Sequence, residues 1–220
     1  MNKILSIIIP TYNAAQFLDK GLSTFIMEDK EMMDKLEVLI VNDGTKDNSV
    51  EVAQKFVDRY PNTFKIINKE NGGHGSAINT GVENVTGKYF KCVDADDWVY
   101  TDALERTMKI LEKEDFDALI QSFITYDISK DLWEPRDIHC DNTDRIYNLK
   151  EIVDMWEQID YGMSFHGVTY NAQFYKSLGY KLIEGVFYED QEYATIPLSY
   201  AKRIRLLDDE LYVYLSLIHI

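Results

Sequence analysis

Ile4 to Pro10 is β-branched and apolar almost throughout, and this stretch restricts the fold more than any other in the 220-residue chain. A strand with one face in water alternates apolar and polar residues. A strand that is apolar on both sides must be covered on both faces, the condition of a parallel sheet flanked by helices. Leu36 to Val41 repeats the pattern, and shorter runs recur at Phe64 to Ile67 and Lys88 to Val93. Between them, apolar residues fall at helical spacing in Ala14 to Met27 (Phe17, Leu18, Leu22, Phe25, Ile26) and Ser49 to Tyr60 (Val52, Phe56, Val57). Two further helices are predicted, one entered from Asn71-Gly72-Gly73-His74-Gly75 and ending near Asn84, the other from Asp102 to Lys113. Strand and helix alternating through short links give right-handed crossovers, hence an α/β fold with a mostly parallel central sheet.

Beyond Asp117 the pattern loosens. Ala118 to Tyr126 predicts a further strand, Asp127 to Arg145 a charged and exposed excursion, and Leu149 to Gln158 a short amphipathic helix with Trp156 in the core. Tyr161 to Tyr170 reads as a glycine-containing loop and strand, Asp190 to Tyr200 as a helix, and Ile204 to Leu207 as a strand. The last six residues, Leu215 to Ile220, read as a non-native tail, with a short terminal strand as the alternative, and His219 carries no functional weight. A single domain over 1–214, truncated at its carboxyl end, is the expectation.

With 45% hydrophobic and 13% aromatic residues the chain can bury a sizeable core. Its net charge of −15 excludes a general nucleic-acid binder, which needs a basic face. The same field repels any anionic substrate, unless a bound divalent cation offsets it locally. Cys92 and Cys140 lack metal-ligand spacing, and Cys92 lies within an apolar strand, which points to a reducing compartment. No apolar run approaches the roughly 20 residues that span a bilayer. The expected location is cytoplasmic, with peripheral association at the inner face of the cell membrane left open.

Asp94-Ala95-Asp96-Asp97 follows the strand ending at Val93 without a break. Carboxylates at the carboxyl end of a buried strand stand where open α/β sheets bind ligands. Asp94 and Asp96, two apart, share one side of an extended backbone, and paired hard oxygens suit Mg²⁺ or Mn²⁺. An isolated D-x-D is more often a solvated acidic turn, but here two other strand ends, Pro10-Thr11-Tyr12-Asn13 and Asn42-Asp43-Gly44, fall on the same edge. The glycine-rich loop from Asn71 enters a helix whose first N–H groups suit a phosphate. An aromatic ring, a carboxylate, this loop and a metal site outline a pocket for a nucleotide diphosphate.

In order and spacing, five segments resemble family 2 glycosyltransferases of the GT-A fold: Ser6 to Asn13, Val41 to Ser49, Asn71 to Gly81, Asp94 to Asp97 and Tyr188 to Glu192. The resemblance implies a Rossmann-like three-layer sandwich and a metal-dependent, inverting transfer of a sugar from a nucleotide-diphosphate donor. The donor is expected to be a UDP-sugar and the acceptor a carbohydrate or lipid-linked hydroxyl. Carried over by position, Tyr12 packs on the base, Pro10 shapes the pocket floor and Asp43 accepts a hydrogen bond from the base. Asp94 holds the ribose or a metal-bound water, and Asp96 binds Mn²⁺ or Mg²⁺. Asn13, Asn71, Gly72 and Ala95 complete the nucleotide-sugar set. Asp190 stands as the base, with Glu189 its neighbouring alternative, although a carboxylate at a helix start is also a cap.

His74 reads as a solvated turn residue or a phosphate contact, His166 as acceptor-facing or packed, and Trp98 as packing or a wall of the sugar pocket. Two departures from the family stand out: Ser76-Ala77-Ile78 replace an expected arginine, and nothing recognisable follows Tyr214. A sugar-phosphate nucleotidyltransferase would carry a glycine-rich basic loop after the first strand, where Thr11 to Ala15 has none. A non-catalytic nucleotide-sugar binding module is the rival of a different class. Loss of Asp96 or Asp190 would favour it, and both are present.

Overall fold

The structure, a computed structural model, describes residues 2–140 and 142–216. In the first half the apolar runs form parallel strands: β1 (Leu5–Thr11), β2 (Leu36–Asp43), β3 (Phe64–Lys69) and β4 (Tyr89–Cys92). The helices between them are α1 (Ala15–Ser23), α2 (Lys30–Lys35), α3 (Ser49–Arg59) and α4 (His74–Asn84). A short β5 (Trp98–Val99) and α5 (Thr101–Lys113) follow, then β6 (Ala118–Asp127), β7 (Leu132–Arg136) and β8 (Ile146–Tyr147). The remainder comprises α6 (Leu149–Asp154), α7 (Trp156–Ile159), β9 (Val168–Asn171), α8 (Ala172–Ser177), α9 (Glu189–Thr195) and β10 (Ile204–Ser216).

The strands lie in the order β3-β2-β1-β4-β9-β6-β10-β5, with β7 beside β6 and β8 beside β10. The block β3 to β4 is parallel, as is β6 with β10, but β9 enters antiparallel between β4 and β6. The sheet is therefore mixed, not purely parallel, across its width. Strand order reverses between β1 and β4, the switch point at which open α/β sheets form a crevice. Two cores sandwich the sheet: Ile7 and Ile9 face α1, α3 and α5, while Ile8 faces α4, α8 and α9.

Several boundaries differ from the sequence pattern for local reasons. The first helix stops at Ser23 rather than Met27, because Ser23 and Thr24 hydroxyls bond back to the carbonyls of Lys20 and Gly21. A separate helix, α2, then starts from Asp29, whose Oδ1 accepts from Glu31 and Met32. Helix α9 ends at Thr195, before Pro197. Strand β10 continues to Ser216 through a bulge between Leu207 and Tyr212, where three acidic residues interrupt the apolar run. Of the tail set apart above, Leu215 and Ser216 belong to β10, and the other four residues lie outside the described ones. Trp156 was expected in the core; it is 60% exposed, because the predicted helix breaks at Met155 and α7 restarts with Trp156 turned outward.

One buried carboxylate ties the first strands together. Glu37 on β2 accepts from Ser6 of β1 (2.6 Å), from Lys65 of β3 (2.8 Å) and from both the N–H and hydroxyl of Thr86 (2.9 Å each). Burial alone would push its carboxyl up, but the bonds from Lys65, Ser6 and Thr86 outweigh it and hold the carboxyl below its ordinary value. The stabilisation is thus present above the unfolded-state pKa and is lost as pH falls. Glu37→Gln is expected to lower the unfolding free energy by ~1–3 kcal/mol at neutral pH in urea titrations. Its deficit against the parent should shrink on acidification below the ordinary value of 4.5; an equal deficit at all pH values would mean that the charge is irrelevant.

Candidate active site

The carboxyl ends of β1, β2 and β4 open onto a cleft of about 910 Å³. Pro10, Tyr12, Asn13, Asp43, Asn71, His74, Asp94, Ala95 and Asp96 line it, with Phe187 contributed by the segment before α9. Pro10 fits because it lies beyond the last β1–β4 pairing, Ile8 with Cys92, where the strand no longer needs its N–H. Tyr12 is 47% exposed and offers a ring face to the cleft. The turn that carries it is held from β2's side. Asn13 takes a left-handed conformation (φ 51°), and its Oδ1 accepts from Lys46 N–H and the Thr45 hydroxyl. Helix α1 has no capping side chain of its own; Asp47 supplies the acceptor for Ala15 N–H at 3.0 Å, and Ser49 accepts from Ala14 N–H at 2.9 Å. Burial works against the Asp47 charge, but bonds from Ser49, Ala15 and Thr45 hold its carboxyl down at about 2.

Asp43 is committed to the glycine-rich loop. Its Oδ1 accepts from Lys69 Nζ (2.6 Å) and Gly72 N–H (2.9 Å), and its Oδ2 from Gly73 N–H (2.8 Å). Asn71 donates to the Asp43 carbonyl at 2.8 Å. The sequence reading pointed this carboxylate at a base; in the structure it is 3% exposed and clasps the loop, because a buried carboxylate takes the nearest N–H groups. Gly72 lies in that clasp rather than on the cleft wall.

The Asp94–Asp97 turn is anchored from the other end of the chain. Asp97 is 2% exposed. Its Oδ2 accepts from the Tyr212 hydroxyl and its Oδ1 from Leu215 N–H (2.7 Å), while Asp94 N–H donates to Tyr212 at 3.0 Å. Burial, then Asp94 and Asp96, push the Asp97 carboxyl well up. Gly21 of α1 allows the helix to touch this turn, since a Cβ there would lie 2.7 Å from the Asp97 carbonyl oxygen.

His74, read from sequence as solvated or phosphate-bound, is the centre of the site. Nε2 bonds Asp94 Oδ1 at 2.9 Å and Nδ1 bonds Glu189 Oε1 at 2.8 Å. Burial works against its charge, but the two carboxylates outweigh that and push the imidazole up to about 9. Glu189 reaches it because Gly75 has no side chain: a Cβ would stand 3.2 Å from Glu189 Cγ and 2.9 Å from the Ile183 carbonyl oxygen. Tyr188, at φ 69°, turns the chain so that Glu189 enters the interior and Asp190 does not. Asp190 is half-buried, bonded among the described residues to Gln191 alone (3.3 Å), and its charge reaches His166 and Tyr214, which also feel Asp94. Burial holds the His166 imidazole down at about 4.

A divalent cation fits this donor set. Asp96 lines the cleft with no partner side chain among the described residues, and burial together with Asp94 pushes its carboxyl up. Asp94 keeps one oxygen clear of His74. Asp94, Asp97 and His166 also bring one ligand atom each within 4.8 Å. Both Asp97 oxygens are already taken by Tyr212 and Leu215, so Asp97 anchors the turn and the cleft-facing pair Asp94 and Asp96 is the better donor set.

Comparison with known proteins gives the family and the fold. The sequence model described as glycosyl transferase family 2 matches residues 6–179. An uncharacterized glycosyltransferase of Bacillus subtilis, EpsJ, is 25% identical over 97% of the chain and 61% of its own length. Another from Escherichia coli, YibD, is 39% identical over 52% of the chain and 32% of its own length. The chain thus spans from about a third to three fifths of these relatives. Among solved structures, S. aureus TarS 1–349 in complex with UDP-GlcNAc superposes with a TM-score of 0.78 at 20% identity, covering 97% of this chain and 58% of that one. The mannosyltransferase PcManGT from Pyrobaculum calidifontis, in complex with GDP-Man and Mn²⁺, gives 0.66 at 19% identity, covering 98% and 57%.

The His74 bridge generates its own prediction. His74→Ala leaves buried Glu189 without a cation and should lower the melting temperature, whereas Glu189→Gln should do so less. Because the two act through one contact, the double variant is expected to show a coupling energy above ~1 kcal/mol in urea unfolding. Additive losses would mean that the bridge carries no energy.

Proposed function

The chain belongs to glycosyl transferase family 2, and from that premise we propose that it moves a sugar from a UDP-linked donor to a carbohydrate or lipid-linked hydroxyl, with inversion. The observation that carries this reading is the placement of Asp190. Its carboxylate, clear of the pairing that holds Glu189, exerts its charge on the same His166 and Tyr214 as Asp94 does, which supports a base near the donor carboxylates. The UDP-GlcNAc of the TarS complex supports the nucleotide, and the Mn²⁺ of the mannosyltransferase complex supports a metal.

In this mechanism the Tyr12 ring stacks on the base. Asp43 holds the Gly72–Gly73 loop that borders it. Asp190 takes the proton of the acceptor hydroxyl as that oxygen attacks the anomeric carbon. The bond to the diphosphate breaks, its electron pair leaves with the nucleotide, and the single displacement inverts the centre. Asp96 and Asp94 would hold Mn²⁺ or Mg²⁺, which would supply charge neutralisation for the departing diphosphate. His74 keeps Asp94 and Glu189 in place throughout. Among the described residues no helix is long and apolar enough to cross a membrane. A lipid-linked acceptor would be met at the inner face of the cell membrane.

A donor-hydrolysis screen across nucleotide sugars with Mn²⁺ tests the reading, and turnover of at least one UDP-sugar is expected. Binding without any turnover would instead support a nucleotide-sugar binding module. Asp190→Asn should keep donor affinity and lose transfer by at least ~100-fold, the scale of a removed general base. Near-parental transfer by this variant would place the base elsewhere.

The metal assignment has a separate readout. UDP and Mn²⁺ together should raise the melting temperature well beyond either alone, and Asp96→Ala should abolish that synergy. Equal synergy in the variant removes Asp96 from the metal site.

A further inference from the structure

Lys91 is a buried titratable group for which the mechanism has no use, and burial pushes its ammonium down to about 7. It lies on β4 three residues before Asp94 and is 1% exposed. A buried ammonium persists only where its donors are satisfied. Its Nζ donates to the backbone carbonyls of His166 (2.5 Å) and Val168 (3.3 Å), and stands 5.5 Å from the centre of the Tyr212 ring. Lys91 therefore ties the 166–168 backbone to the strand that ends in the metal-site carboxylates.

Above that tie, the His166 ring packs against Tyr214 (4.4 Å between centroids), Tyr212 (5.0 Å), Phe123 (5.3 Å) and Phe165 (5.7 Å). The next residue has no room to move outward, since a Cβ on Gly167 would lie 2.1 Å from the Gly162 carbonyl oxygen. Among the described residues neither ring nitrogen of His166 has a hydrogen-bond partner, although one lies within 4.8 Å of carboxylate oxygens of Asp94 and Asp97. A ring fixed this firmly, half-buried, unbonded and within 4.8 Å of the Asp94 and Asp97 carboxylates, is a donor and acceptor in want of a ligand.

We infer that His166 hydrogen-bonds a sugar hydroxyl next to the cleft-lining Asp94, and that Lys91 is the positioning residue which holds it there without touching substrate. The inference rests on the glycosyltransferase reading above. The hydroxyl belongs to the transferred sugar or to the acceptor, two sources of one chemistry.

His166→Phe keeps the aromatic packing and removes the hydrogen bond; His166→Gln keeps a bonding group. We expect His166→Phe to raise KM by about tenfold, the worth of one hydrogen bond to substrate, with His166→Gln intermediate. A rise in donor KM for hydrolysis assigns the hydroxyl to the transferred sugar. A rise in acceptor KM with unchanged hydrolysis assigns it to the acceptor. Lys91→Met should reproduce the effect, and the double variant His166→Phe/Lys91→Met should be no worse than His166→Phe alone, which a merely structural lysine would not give. Parental kinetics in His166→Phe overturn the inference while leaving the transferase reading intact. Loss of the UDP–Mn²⁺ thermal synergy in His166→Phe also overturns it, by placing His166 on the metal. Absence of all turnover in the parent overturns the transferase reading and this inference with it.

Discussion

Four carboxylates, Asp43, Asp94, Asp97 and Glu189, converge on one edge of the sheet in a chain that already carries a net charge of −15. Buried charge of one sign has to be answered by donors, and each of the four is answered differently. Backbone N–H groups and Lys69 serve Asp43; Tyr212 and a strand N–H serve Asp97. A single imidazole serves both Asp94 and Glu189. These answers fix the glycine-rich loop, the Asp94–Asp97 turn and the start of α9, which are the working parts of the cleft. Among the described residues Asp96 and Asp190 are left without such partners, and those are the two positions proposed for metal and base.

Helix α4 gathers this arrangement into one body. Its first residue holds Asp94 and Glu189, its Gly75 admits the Glu189 side chain, and its Asn79 exchanges hydrogen bonds with the backbone of Leu182 at 2.9 Å in each direction. The glycine-rich loop, Asp94 and the start of α9 are therefore held by the same eleven-residue helix. A displacement of α4 would move all three together, which is pre-organisation of the kind the proposed reaction needs.

The antiparallel β9 between β4 and β6 has a functional consequence. It carries the 166–168 backbone against Lys91 and brings β6 and β10 alongside the parallel block, so that Tyr212 can reach a turn 115 residues earlier in the chain. A purely parallel sheet would end at β4 with the Asp94–Asp97 turn unsupported.

The sequence by itself determined the α/β class, the first four strands and the edge on which the cleft lies. Those follow from local periodicity and from the rule that strands apolar on both faces must be covered twice. The candidate residues Pro10, Tyr12, Asn13, Asp43, Asn71, Asp94, Ala95 and Asp96 were legible because they follow strand ends or open a helix, and chain direction puts such ends together. Only the tertiary structure decided which carboxylates are free and which are spent. His74 with Glu189, Asp97 with Tyr212 and Lys91 with His166 are each separated by 75 or more residues, and no local pattern encodes such pairs. The β10 extension was hidden for a related reason: its bulge places Asp208, Asp209 and Glu210 inside a strand, held by Ser122 and Gln121 from the neighbouring one. Periodicity reports which faces are buried, and it is silent on which buried charge finds which partner.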